Sequence, residues 1–233
     1  MNNPRELYNK TAFMYDEKHL PCPMTRWLEK HEEKLIKRFG RGRTLELGCG
    51  TGRWLKSNNV GLDISEKMLA LSRKKGFELL VQGNSEQTPF KPDSFDTVLC
   101  LFGVLNMCDY PKTIREMGRI LKPGGTAIIS VASIWDSYKT YSEKKKAENP
   151  LKTKKFRVQT ERIRLSLFDK NELVDVFSKN NFILEQFESL FILRNPHWGS
   201  HERFSLKQKL SLRLDRFFPK EYGAMYLMAF RKM

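Results

Sequence analysis

The sequence predicts an α/β fold on a mostly parallel sheet, and three observations carry that prediction. Strand-like runs and helical patterns alternate four times between Thr44 and Val131. The first run, Thr44 to Leu47, is β-branched or aliphatic apart from Glu46, as expected of a strand buried on both faces. It leads directly into Gly48-Cys49-Gly50-Thr51-Gly52, where alternate glycines let the backbone turn tightly and approach a bulky group. At 233 residues the chain suits one full domain, so 1–233 is read as a single domain. Its parts are a helical cap over 1–43, the alternating region, and two insertions at 136–164 and 194–223.

The first forty residues read as helices divided by Pro21-Cys22-Pro23, the second bearing an apolar side of Trp27, Leu28, Leu35, Ile36 and Phe39. After strand one, only Arg53 to Asn59 separate Gly52 from the next strand, Val60 to Asp63. A crossover normally takes about ten residues or more, so any helix here has two turns at most. Ser65 caps a helix through Lys75, which Gly76 ends, and strand three follows at Phe77 to Val81. Strand four spans Ser94 to Leu101. Asp109 caps a helix from Pro111 to Leu121, and Lys122-Pro123-Gly124-Gly125 turns the chain into strand five, Ala127 to Val131.

Asp169-Lys170-Asn171-Glu172 reads as a capping box for a helix through about Lys179, ahead of a strand-like run from Phe182 to Leu193. The closing run Ala224 to Phe230 follows without a full helical crossover, which predicts an antiparallel last strand. The insertion at 136–164 is polar, rich in lysine and without clear periodicity. The insertion at 194–223 holds a second capping box, Ser205 to Gln208, and a basic helix with Leu206, Leu210, Leu214 and Phe217 on one face.

Bulk properties exclude several classes. The longest nearly apolar run, Val98 to Leu105, falls far short of the roughly 20 residues of a transmembrane helix. Cys22, Cys49, Cys100 and Cys108 form no paired or metal-type spacing, and the first residues lack a secretory pattern, so a reducing cytoplasm is expected. The net charge of +15 is concentrated late in the chain. Residues 139–164 carry ten basic and three acidic side chains, and 194–220 carry seven and two. Such segments, interleaved with Trp135, Tyr138, Tyr141, Phe156, Trp198 and Phe204, suit a nucleic acid or another polyanion; solvated lysines are the plainer alternative.

A dinucleotide-binding dehydrogenase would show G-x-G-x-x-G with an acid about 20 residues on. Here the pattern is G-x-G-x-G, Glu46 precedes it, and Asp63 lies eleven residues after Gly52. In five ordered motifs the chain resembles the class I S-adenosylmethionine-dependent methyltransferases, particularly their quinone-biosynthesis branch. These are Glu46-x-Gly48-x-Gly50-x-Gly52, Gly61 to Ser65, Gly83 to Glu86 ahead of Pro89-Phe90, Ser94-Phe95-Asp96, and Arg119 to Gly125. The short crossover after Gly52 is also similar to that of the tRNA wobble-uridine methyltransferases.

The resemblance implies a Rossmann-like seven-stranded, mostly parallel sheet with helices on both faces. It implies S-adenosyl-L-methionine as cofactor, held by Tyr15, Glu46, Gly48, Cys49, Gly50, Gly52, Asp63, Ile64, Asn84, Ser85, Leu101 and Phe102. Asp63 would accept from both ribose hydroxyls, and Asn84 from the adenine amino group. Glycines 48 to 52 would approach the ribose and methionine, Leu101 and Phe102 would flank the methionine end, and Tyr15 would close over it. The implied reaction is in-line displacement at the sulfonium methyl, which requires no metal and in which a general base is optional.

The acceptor is open between a small molecule and RNA, tRNA included. A nucleic-acid-binding module without transfer activity is the reading from another class. Candidates for a base or acceptor ligand are Tyr15, Asn106, His19, His197 and His201, for each of which packing or surface exposure is the alternative. His31, in a charged helical run, reads as solvated.

Overall fold

Seven strands order themselves around the first apolar run, so that the glycine stretch emerges at the centre of one sheet edge. The computed structural model describes residues 3–19, 22–158, 161–193 and 204–233, with backbone alone at 18, 19, 156–158 and 161–163. The N-terminal cap comprises α1 (Pro4–Thr11), α2 (Tyr15–His19) and α3 (Pro23–Phe39). Then come β1 (Thr44–Leu47), β2 (Val60–Asp63), α4 (Glu66–Lys74), β3 (Leu80–Gln82), β4 (Phe95–Cys100), α5 (Tyr110–Ile120) and β5 (Leu121–Ala132). The first insertion contains α6 (Tyr141–Lys146), β6 (Thr153–Val158) and β7 (Glu161–Ser166). Further on are α7 (Lys170–Ser178), β8 (Phe182–Leu190), α8 (Leu206–Leu214) and β9 (Met225–Lys232).

The sheet order is β3-β2-β1-β4-β5-β9-β8. β1 to β5 pair in parallel, while the last strand β9 inserts antiparallel to both β5 and β8. This is the Rossmann-like arrangement the motifs implied.

Both faces are covered, and the alternation along the strands shows how. Val98, Cys100, Ile129 and Met228 join a core with Ile114 and Met117 of α5 and Leu173 and Phe177 of α7. Their neighbours Leu99, Leu101, Ile128 and Leu227 face the other way, against Met24, Leu28 and Leu35 of α3. Phe177 stacks on Phe230, centroids 3.9 Å apart.

Three expectations are corrected. Residues 53–59 form turns, not a short helix. Consecutive side chains there are drawn to different partners: Arg53 to Glu29, Trp54 to Glu32, and Leu55 into a small core with Cys49 and Leu69. Ser57-Asn58-Asn59 then favours turns over helix. Strand three begins at Leu80, not at Phe77, because Phe77 turns beneath the glycine stretch, where its ring would lie 2.8 Å from a Cβ on Gly52. The insertion at 136–164, for which the sequence showed no clear periodicity, contains α6 and an antiparallel β6–β7 hairpin. His31 is not solvated: its Nδ1 lies 2.6 Å from Glu188 Oε1, and its ring sits beside Trp27.

Two features of the basic segments were not visible in the pattern. Lys144, within the lysine run, is fully buried and donates to the carbonyls of Phe191 (2.7 Å) and Ile192 (3.0 Å). Burial lowers its pKa to about 7 against the opposing pull of Asp215. The face of Leu206, Leu210, Leu214 and Phe217 expected to be the apolar side of α8, by contrast, is open, with Leu206 84% and Phe217 70% exposed, while Leu212 packs against the core.

Candidate functional site

The backbone of the glycine stretch sets the site. Gly48 has φ +68°, and a Cβ there would lie 2.4 Å from Val104 Cγ2, so the close approach of the two loops requires glycine. Gly50 has φ +54°, and a Cβ there would meet nothing within 4 Å, so its backbone borders open space. That space is a cavity of about 740 Å³.

Asp63, at the end of β2, locks this wall. Its Oδ2 accepts from Gly50 N and its Oδ1 from Ser65 N, both at 2.8 Å. Ser65 Oγ in turn accepts from Met68 N and caps α4. Each carboxylate oxygen keeps a lone pair for a further donor. Burial raises the Asp63 pKa, with the Ser65 and Gly50 amides working in the opposite direction.

The cap closes the site from above. Asp16 accepts from Thr51 Oγ1 at 2.6 Å and pairs with Lys75, fastening α2 across the glycine stretch. Asn9 bonds Ser65 and Glu66, and Arg5 pairs with Glu66, fastening α1 to the start of α4. Tyr8 and Tyr15 therefore reach the cavity together, their rings edge to face at 6.1 Å. Burial raises both phenols, that of Tyr15 to about 12, so near neutrality each is a neutral hydrogen-bonding group.

Of the expected cofactor residues, Tyr15, Gly48, Gly50, Asp63, Ile64, Asn84, Ser85, Leu101 and Phe102 line the cavity. Asn84 is exposed there, and its carbonyl already accepts from Glu86 N at 3.0 Å. Phe102 adopts φ +55°, uncommon for a bulky residue, and receives the Arg53 guanidinium over its ring at 4.5 Å. Glu46, Cys49 and Gly52 lie behind the lining. Cys49 is buried and its thiol pKa is raised by burial, so it stays protonated and acts as packing.

Two buried polar atoms behind Phe102 and Tyr15, Glu46 Oε2 and Arg53 Nη1, have no hydrogen-bond partner among the described residues. Burial pushes Glu46 well above the usual carboxylate range, followed by the nearby Glu32 and Asp63 carboxylates. Glu46 therefore binds its proton more tightly folded than unfolded. Its contribution to stability is full below the ordinary carboxylate pKa and is lost as pH rises through the raised value. Glu46→Gln, which stays neutral, is expected to melt progressively higher than the unsubstituted protein as pH increases. Parallel curves of melting temperature against pH would count against this.

The remaining candidates separate. Asn106 reaches the cavity, but its amide is engaged: Nδ2 donates to Ala132 O (3.0 Å) and Ser166 O (2.5 Å), and Oδ1 accepts from Ala132 N (2.9 Å). It thereby ties the β6–β7 hairpin to the sheet. His19 ends α2, its side chain outside the described atoms; His197 and His201, with Trp198, lie outside the described residues. Trp135 packs against Tyr138 and Tyr222 and anchors its insertion.

Sequence reasoning did not find the far wall, formed by Tyr8, Met107, Cys108, Thr153, Arg164 and Ser166. Tyr8 donates to Met107 Sδ at 3.1 Å, and burial raises the Cys108 thiol to about 11. The alternation of Thr153, Arg164 and Ser166 in a hairpin was the one available signal.

Comparison with known proteins agrees with this geometry. A family described as a methyltransferase domain matches residues 45–129, from β1 into β5. An uncharacterized protein of Methanocaldococcus jannaschii is 31% identical over 193 residues, covering 76% of this chain and 75% of that protein. The demethylmenaquinone methyltransferase of Listeria monocytogenes is 37% identical over 111 residues, covering 41% of this chain and 47% of that enzyme. Among solved structures, an S-adenosylmethionine-dependent methyltransferase of Thermotoga maritima superimposes with a TM-score of 0.65 at 22% identity. That match spans 98% of this chain and 99% of the other.

Proposed function

The chain belongs to the class I S-adenosylmethionine-dependent methyltransferases, and from that premise we propose that it methylates a small-molecule acceptor entering between Tyr8 and the β6–β7 hairpin. The observation that carries the reading is the division of one cavity into two unlike walls. One wall is backbone glycine and a fixed carboxylate; the other is side chains from the cap and the first insertion.

The first wall fits the cofactor. Asp63 accepts from the two ribose hydroxyls with the lone pairs left free by Gly50 N and Ser65 N. The open space over Gly50 admits the ribose, and Asn84 and Ser85 border the adenine. The orphan Arg53 Nη1 and Glu46 Oε2 suit the carboxylate and ammonium of the amino-acid tail. When bound, S-adenosylmethionine supplies a sulfonium methyl group activated toward a nucleophile.

This chain's own residues position and enclose. Tyr15 and Phe102, both lining the cavity, would cover the reacting end and exclude water, while Tyr8, a neutral phenol, would orient the acceptor by a hydrogen bond. Neither Cys108, a protonated thiol near neutrality, nor the phenols serve as a ready base, so the acceptor's own nucleophile or solvent carries the proton.

A second reading, an RNA acceptor, is favoured by the cationic hairpin at the mouth of the cavity. Calorimetry with S-adenosylhomocysteine, followed by transfer of labelled methyl into a small-molecule extract and into bulk tRNA, tests both. Donor binding with label in the small-molecule fraction is expected. Label in tRNA alone selects the second reading, and donor binding without transfer to either defeats both acceptors.

A further inference from the structure

The β6–β7 hairpin sorts its charges by face. Lys152 and Lys154 occupy even positions of the first strand and its approach, and each is neutralised within the protein, Lys152 by Glu172 and Lys154 by Asp136. The odd positions behave differently. Thr153 pairs in register with Ser166, and Lys155 with Arg164, so these four share one face. Thr153, Arg164 and Ser166 line the cavity. On that face no carboxylate among the described residues pairs with a cation. Arg164 donates only to Thr153 Oγ1, at 3.3 Å, and the exposed Lys155 ammonium has no described partner.

Two like charges directly opposite on neighbouring strands repel, and among the described residues no carboxylate compensates this pair. The register repeats the arrangement one step outward, where Arg157 stands opposite Arg162. Alternate strand positions are about 6.6 Å apart, so cationic positions lead away from the cavity at regular intervals. Guanidinium and ammonium groups placed in this way bind phosphate oxygens.

We propose that this face of the hairpin holds a phosphate group of the methyl acceptor, with Arg164 and Lys155 as its specificity-determining contacts. The inference rests on the assignment of the far wall to the acceptor. Phosphate attached to a small molecule and phosphate of an RNA strand present the same chemistry to Arg164, and they differ in how far they extend along the hairpin.

The test compares the unsubstituted protein with Lys155→Glu/Arg164→Glu and with the milder Lys155→Gln/Arg164→Gln. The probes are a short fluorescent oligouridylate and inorganic pyrophosphate as competitor. The charge-reversed form is expected to bind the oligouridylate about 10- to 100-fold more weakly, with the salt slope flattened by about 1.4, two contacts at about 0.7 each. The glutamine form should fall between. Lys207→Glu/Lys209→Glu on α8 should leave binding unchanged. S-adenosylhomocysteine affinity, read by calorimetry on every variant, reports the donor site separately. Retained donor binding with lost phosphate binding supports the proposal. Displacement of the oligouridylate by pyrophosphate at comparable concentration points to a phosphorylated small molecule, and resistance to it points to RNA; both support the shared chemistry. Equal oligouridylate binding in all forms, or none in the unsubstituted protein, overturns the proposal while leaving the donor assignment standing. Loss of donor binding in the unsubstituted protein would overturn the functional reading itself.

Discussion

Asp63→Ala is expected to weaken S-adenosylhomocysteine binding by roughly 100- to 10,000-fold, because two charge-assisted hydrogen bonds of about 1.5–3 kcal/mol each are lost together. The same change releases Gly50 N and Ser65 N, which this carboxylate holds at 2.8 Å, so the glycine stretch also loses its fixed position. Asp63→Asn separates the two effects. The amide keeps one acceptor oxygen but sets a donor against one of the two backbone N–H groups, so an intermediate loss is expected. Calorimetry on the three proteins checks the order, and an alanine form that binds as tightly as the unsubstituted protein removes Asp63 from the cofactor site.

The same carboxyl gives that affinity a pH dependence of known sign. Its folded-state pKa is raised, chiefly by burial. Below that value it is protonated and a poorer acceptor for two hydroxyls, so donor affinity should rise as pH increases through it. The contribution of Asp63 to the stability of the free protein runs the other way, largest at low pH and lost as pH rises.

The second large effect is expected at Asn106. Alanine there removes three hydrogen bonds at a residue only 2% exposed, strands Ala132 N and Ser166 O, and leaves Ala132 O with Phe168 N alone, at 3.3 Å. Each unsatisfied buried group costs about 1–3 kcal/mol, and partial relaxation leaves an expected destabilisation of about 2–4 kcal/mol by urea unfolding. Hydrogen exchange should accelerate in β6 and β7 before it does in β1 or β4. Asn106→Asp keeps the shape and the acceptor for Ala132 N but turns an oxygen toward two carbonyls, so it should be at least as damaging. A silent Asn106→Asp would show that these bonds do not hold the hairpin.

The two walls of the cavity were not equally legible in the sequence. The wall proposed for the donor depends on backbone geometry that few residues satisfy. Positive φ at Gly48 and Gly50 demands glycine, and the acid ending the next strand stands at a fixed distance along the chain. Such requirements leave a mark at single positions. The far wall depends on which face of a hairpin each residue occupies, and Lys152, Lys154, Lys155 and Arg164 are alike in composition while differing in partner. Alternation of charge against charge carries no hydrophobic period, so the segment read only as a polar insertion without clear periodicity.

Lys144 was hidden for the same reason. A lysine run reads as solvated, and only the nearby carbonyls of Phe191 and Ile192 mark one member as buried. The turns at 53–59 were obscured by the general expectation that parallel strands need a helical crossover. Here three consecutive side chains with separate destinations prevail over any common helical face.

The β6–β7 hairpin forms a two-stranded sheet of its own, outside the seven-stranded one. A changed residue within it alters no pairing among β1, β2, β3 and β4, whose ends carry the glycine stretch, Asp63, Asn84 and Phe102. On the proposed assignment of this wall to the acceptor, substrate range becomes a cassette: exchanging residues 151–167 for another hairpin that presents a backbone carbonyl to Asn106 is expected to change the acceptor and leave donor binding in place. On that proposal, what is methylated can change without any change in how the methyl donor is held.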